Sequence, residues 1–184
     1  MKCIRALHAA QLMAAGAVLA SMGAMADGPA TEVRTEYLMT MLAPLDSPSD
    51  VNNALSISNV RTSGSWVKGP HIRGTFLPPG GDWSRLMPSG SVRLDVRLTL
   101  KTDDGALIYM SYNGVLTESP ENEKKAAKGE VLTDKDMAYF VTAPTFETSS
   151  STYAWLNSVQ AIGKMIEYKE GKDGYVKYDV FVVR

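Results

Sequence analysis

Residues 91–116 read SVRLDVRLTLKTDDGALIYMSYNGVL. Along its first half, Val92, Leu94, Val96, Leu98 and Leu100 alternate with Arg93, Asp95, Arg97 and Thr99. That period of two puts the aliphatic set on one face of an extended strand and the polar set on the other. The second half, Ala106 to Leu116, is again strand-length and rich in Leu, Ile, Tyr and Val. Between the halves lies Thr102-Asp103-Asp104-Gly105, and Asp-Gly is the favoured chemistry of a tight hairpin turn. Strands joined so briefly pair antiparallel.

The same signature recurs on both sides of this hairpin. Val33 to Leu42, Tyr139 to Glu147, Val159 to Tyr168 and Tyr175 to Val183 are strand-length runs bounded by Gly, Pro, Asp and Ser clusters, and Glu170-Gly171-Lys172-Asp173-Gly174 joins the last two. Helical periodicity is scarce and no βαβ spacing appears. The pattern predicts an all-β domain, a single closed antiparallel β-barrel, since closure removes the exposed edges that a sandwich has to protect. One short helix interrupts it. Ser119 can cap, Pro120 suits the first helical position, Glu121 favours the positive end, Lys124, Lys125 and Lys128 favour the other, and Gly129 ends it. This helix reads first as a surface connector and second as a flap over a barrel mouth.

Residues 1–26 read as a cleaved signal peptide. Lys2 and Arg5 form a basic region, Ala9 to Ala20 an apolar stretch, and Ala24-Met25-Ala26 the small-x-small pattern preceding cleavage. The apolar stretch is shorter than the roughly 20 residues that span a bilayer, so no membrane anchor is expected after cleavage. The expected mature chain is one domain, residues 27–184, periplasmic or secreted. The only cysteine, Cys3, and one of the two histidines, His8, leave with the signal. His71 is then alone, which argues against a histidine or thiolate metal site.

Composition narrows the function classes further. With 45% hydrophobic and 21% charged residues the chain is globular, and its net charge of −1 offers no case for nucleic acid or an anionic membrane surface. No Gly-x-Ser-x-Gly elbow, phosphate loop or dinucleotide fingerprint occurs, and Asp103-Asp104-Gly105 lacks the spacing of a calcium loop. No cofactor and no metal are expected.

The ordered set RGTFLPPGGDW (residues 73–83), Leu94-Asp95-Val96-Arg97, the stretch 102–109, Phe146-Glu147-Thr148 and Tyr153-Ala154-Trp155-Leu156-Asn157 resembles the bacterial and fungal family called domain of unknown function 3237. The resemblance runs over roughly residues 33 to 184. It implies a lipocalin-like β-barrel and no particular reaction. Relative to many shorter members, this chain adds the export signal and a Lys-rich insert from Pro120 to Asp136.

Candidate chemistry is carboxylate, guanidinium and phenol. Asp95 and Arg97 have two readings: a surface charge ladder, with the aliphatic face inward, or a lumenal base or anion-binding pair, with that face covered by a second subunit in a homo-oligomer or by a covering segment. The family-like motif favours the lumenal pair as catalytic, with a buried carboxylate removing a proton and Arg97 or Tyr109 stabilising an enolate-like oxygen. Gly80-Gly81-Asp82-Trp83 reads first as a turn, while its functional alternative makes Asp82 an acid or base and Trp83 an aromatic wall. Tyr139, Glu147, Trp155 and Asn157 complete the set of ligand-binding candidates, being the residue types that line concave pockets. Two functions follow: a barrel holding a small, partly apolar molecule in its lumen, or a cofactor-independent lyase, isomerase, hydratase or cyclase.

Overall fold

A computed structural model describes residues 31–184; the expected signal peptide, its cleavage point and residues 27–30 lie outside the described residues. Val33–Arg184 forms one compact unit. Its strands are β1 (Thr35–Pro44), β2 (Ser49–Asp50), β3 (Leu55–Asn59), β4 (Trp66–Lys68), β5 (Arg73–Leu86), β6 (Val92–Thr102) and β7 (Leu107–Thr117). After helix α1 (Pro120–Ala127) come β8 (Leu132–Thr133), β9 (Tyr139–Glu147), β10 (Ala161–Lys169) and β11 (Tyr175–Val183), with a short 3-10 turn over Ala154–Ser158.

Eight of these strands close into an antiparallel barrel, in the order β5-β4-β1-β11-β10-β9-β7-β6 and back to β5. The hairpin of β2 and β3 extends one edge of β5, and β8 adds to β10. The β6–β7 hairpin forms about the turn read from the sequence, with Lys101 opposite Leu107 and Gly105 at φ +90° in the turn. Along β6 the aliphatic residues Leu94, Val96, Leu98 and Leu100 are buried while Arg93, Arg97 and Lys101 are exposed. Side-chain parity thus turns the aliphatic set into the lumen. Met39, Met41, Phe76, Leu98, Leu100, Ile108, Met110 and Met165 are each at most 2% exposed.

One long strand is not apparent from composition. β5 runs through Pro78-Pro79-Gly80-Gly81, a segment whose residues read as a turn, yet neither Gly80 nor Gly81 adopts positive φ. The turn reading is corrected: these residues form an irregularity between Leu77 and Gly81, where β5 carries two more residues than β6. Glycine is needed there for close approach, since a Cβ on Gly81 would lie 3.0 Å from the Ser58 carbonyl oxygen. Gly74, lower on the strand, is tighter still; its Cβ would meet the Lys101 carbonyl oxygen at 2.1 Å.

Helix α1 forms as its caps dictate. The Ser119 hydroxyl accepts the Asn122 N–H at 3.3 Å, Lys125 pairs with Glu121 at 3.5 Å, and Gly129 follows at φ +75°. Asn122 and Ala126 are its buried residues, and the Asn122 amide donates to the Asp136 carbonyl.

Candidate functional site

The half of the lumen that the core does not fill is a cavity of about 470 Å³. Its wall comes from inward positions of many strands: Ala43 of β1, Asp82 and Ser84 of β5, Val92, Leu94 and Val96 of β6, Tyr112 and Leu116 of β7, Phe140 of β9, Tyr168 of β10, and Val176 and Tyr178 of β11. Ser56 and Ser58 of β3 close one side. Glu118, Glu123, Lys169 and Glu170 stand with them at the polar part of the lining.

Strand parity explains most of this set, and one bulge explains the rest. On β10 the buried residues Ala161, Gly163 and Met165 alternate inward, which would send Glu167 into the lumen and Tyr168 out. A register shift between Met165 and Glu167 inserts one residue against β11. It reverses the parity beyond it. Tyr168 therefore lines the cavity, while Glu167 pairs with Lys177 at 3.1 Å.

Four rings form the aromatic part of the wall. Phe140 meets Tyr178 edge-on with centroids 5.5 Å apart and Tyr168 at 6.3 Å, and Tyr112 meets Tyr178 at 6.1 Å. Such edge-to-face pairs hold the rings at fixed angles. Tyr112 and Tyr178 are 4% and 1% exposed. Neither hydroxyl has a hydrogen-bond partner among the described residues, and neither counts as a sealed, unsatisfied polar atom, so both open onto the cavity. The Tyr168 hydroxyl donates to Glu170 Oε1 at 3.0 Å.

Asp82 is the carboxylate within this aromatic site. It lies opposite Val96 in the β5–β6 register, and its Oδ1 accepts the Asp95 N–H at 3.1 Å. Desolvation raises its pKa from 3.8 to about 6, opposed by that N–H and assisted by the charge of Asp95. Glu118 is raised from 4.5 to about 7, first by burial and then by Glu170 and Glu123. Burial pushes the Tyr112 and Tyr178 phenols upward, and the charge of Asp82 pushes further, so both remain neutral hydrogen-bond donors at neutral pH. The site therefore has two carboxyls close to their protonation midpoint and two available phenols.

Of the residues singled out from sequence, Asp82 alone lines this cavity. Asp95 and Arg97 are corrected: they lie on the outer face, with side chains 45% and 51% exposed and an ion pair at 3.2 Å. The aliphatic face of β6 decides the register because burying it outweighs an exposed pair worth about 0–1 kcal/mol. Trp83 takes the parity opposite to Asp82, and Arg97 lies 5.7 Å over its ring. Tyr109, Glu147 and Asn157 do come together, in a shallow outer depression away from the lumen. There Tyr109 is opposite Glu147, and Asn157 exchanges hydrogen bonds with the Thr148 backbone, which is a turn-bracing role. Tyr139 and Trp155 are 48% and 40% exposed, with Arg184 6.0 Å over the Trp155 ring.

Sequence reading missed Tyr112, Tyr178, Tyr168 and Glu118. The first two carried a usable signal, since each shares the parity of apolar neighbours, Ile108 and Met110 in one strand and Val176 and Val180 in the other. Tyr168 carried none, because its orientation depends on the bulge. Among the described residues no three His, Cys, Asp or Glu side chains gather into a metal-binding group.

Comparison with known proteins places this architecture among relatives. Residues 33–183 match the family model described as protein of unknown function, DUF3237. The UPF0311 protein RPA1785 of Rhodopseudomonas palustris is 30% identical over 143 residues, 75% of this chain and 91% of its own length. Its crystal structure, described as a conserved protein of unknown function, superposes with a TM-score of 0.73 over 84% of this chain and 99% of that one. A β-barrel-like protein from Acinetobacter baumannii, ABAYE2633, is 30% identical with a TM-score of 0.64, covering 86% and 99%. A protein described as an enzyme from Penicillium herquei shares the fold at 21% identity and a TM-score of 0.55, covering 86% and 99%.

Proposed function

This chain belongs to the DUF3237 family of proteins of unknown function, and on that premise we propose that it binds a small, partly apolar molecule in the open half of its barrel. The observation that carries this reading is the cavity itself. Its volume of about 470 Å³ falls within the roughly 300–1,000 Å³ of small-molecule sites. Its apolar strand residues and four rings supply area, and Asp82 with the Tyr112 and Tyr178 hydroxyls supplies orientation.

The test is protein-observed NMR with 2-phenylethanol as the probe. Saturable shifts at Tyr112, Phe140 and Tyr178, lost in a folded Val96→Trp protein whose indole fills the cavity, are the expected result. Shifts confined to the outer depression at Tyr109 and Glu147 would overturn the reading.

A second reading, acid–base catalysis, is favoured by the juxtaposition of Asp82 with two unpartnered phenols. A carboxylate poised near neutral pH removes a proton from carbon, and a neutral phenol donates to the enolate oxygen that develops. This role moves from the outer residues Asp95, Arg97 and Tyr109 to Asp82, Tyr112 and Tyr178. Phenylacetone in D2O supplies the assay: wild-type protein should accelerate carbon deuteration, and Asp82→Asn should not. Equal rates for the two proteins would remove the catalytic reading.

A further inference from the structure

The cavity's charge is one-sided. Asp82, Glu118 and Glu170 line it, and among the described residues the only cationic side chain in the lining is Lys169. Neither Asp82 nor Glu118 forms an ion pair among the described residues, in contrast with the outward carboxylates Asp95 and Glu167, which pair with Arg97 and Lys177. An uncompensated carboxylate in a partly desolvated site is costly, and a cation supplied from outside removes that cost. The aromatic wall acts in the same sense, because ring faces carry the negative end of a quadrupole. The unpartnered phenol oxygens of Tyr112 and Tyr178, on residues 4% and 1% exposed, can accept hydrogen bonds from an ammonium as well as donate. An anionic ligand meets the opposite balance.

Resting on the lumen-binding reading above, we infer that the ligand is an organic cation, a protonated amine whose apolar body lies against Phe140 and the tyrosines while its nitrogen is held by Asp82. Glu118 and Glu170 attract the charge as it enters. The charge of Asp82 acts on Tyr112, Tyr168 and Tyr178 and is opposed by that of Asp95 on the outer side of β6, while the charge of Glu118 acts on Tyr168 and is opposed by those of Glu123 and Glu170. None is a cation, so nothing in that set replaces the ligand's charge.

The experiment compares three probes of one shape by calorimetry at about pH 8: phenethylamine, 2-phenylethanol and phenylacetate. Phenethylamine should bind about tenfold more tightly than the alcohol, with phenylacetate weakest. Asp82→Asn should erase the amine's advantage over the alcohol. Glu118→Gln provides a second carboxylate variant should the first fold poorly, and it should likewise narrow the amine's advantage. In wild-type protein the amine's affinity should fall between about pH 8 and pH 5 as the carboxylates take up protons, while the alcohol's stays level. An alcohol or carboxylate probe binding as tightly as the amine overturns the cation inference and leaves lumen binding intact. Saturable binding of none of the three in the millimolar range overturns both.

Discussion

Asp82 illustrates how a single residue can be costly to the fold and useful to the site. Its pKa is raised in the folded chain, so the folded state binds its proton more tightly than the unfolded state does. The sign follows: its contribution to stability is full below about pH 4 and lost as pH rises through about 6. Asp82→Asn, whose amide oxygen can still accept the Asp95 N–H, should therefore be more stable than wild type at pH 8, by about 1–3 kcal/mol. That advantage should shrink to nothing near pH 3. Urea melts of the two proteins across this range provide the check, and a destabilised Asp82→Asn at pH 8 would show that the charged form is paired. Glu118, raised from 4.5 to about 7, contributes a pH dependence of the same sign. Groups of this kind, kept despite a stability cost, are characteristic of functional sites. Asp82 was legible in the sequence as a candidate. Its placement was not, because the glycines before it read as a turn and a turn leaves side-chain parity undefined.

At the level of elements, regular alternation was readable and its interruptions were not. β6, β7, β9, β10 and β11 each announce themselves by residue type and length. β5 does not, since its Pro78-Pro79-Gly80-Gly81 segment combines the residues that normally stop a strand. The strand persists because β3 and β6 flank this half of it and the irregularity absorbs the prolines. Close strand approach makes a sharp prediction at Gly74, where a methyl group would collide with the Lys101 backbone oxygen at 2.1 Å. Gly74→Ala should destabilise the barrel by more than about 2 kcal/mol, as backbone displacement in a closed sheet has no cheap relaxation. Thermal unfolding followed by circular dichroism measures it; a neutral outcome would mean that β5 and β6 separate freely there. Helix α1 was legible from its caps. Its place at the cavity, which its own Glu123 and the preceding Glu118 both line, was not, since nothing local tells a connector from a flap.

On the scale of the whole molecule, closure was inferred from the cost of exposed edges, and the pairing of β5 with both β4 and β6 achieves it. The lumen's division into a filled and an open half was beyond periodicity, which gives the face of each residue and not how far along the barrel the core extends. Export is a proposal for the whole chain, supported by the basic, apolar and small-residue regions in order. Intact mass of protein from the periplasmic or extracellular fraction should begin at Asp27; full-length chain confined to the cytoplasm would exclude it. The cavity's size has a kinetic consequence. At about 470 Å³ it matches a single small-molecule site. An occupant must leave before its successor enters, so exchange is strictly one at a time. Residence time then sets the throughput of the barrel, and any product of turnover blocks the next substrate until it has gone.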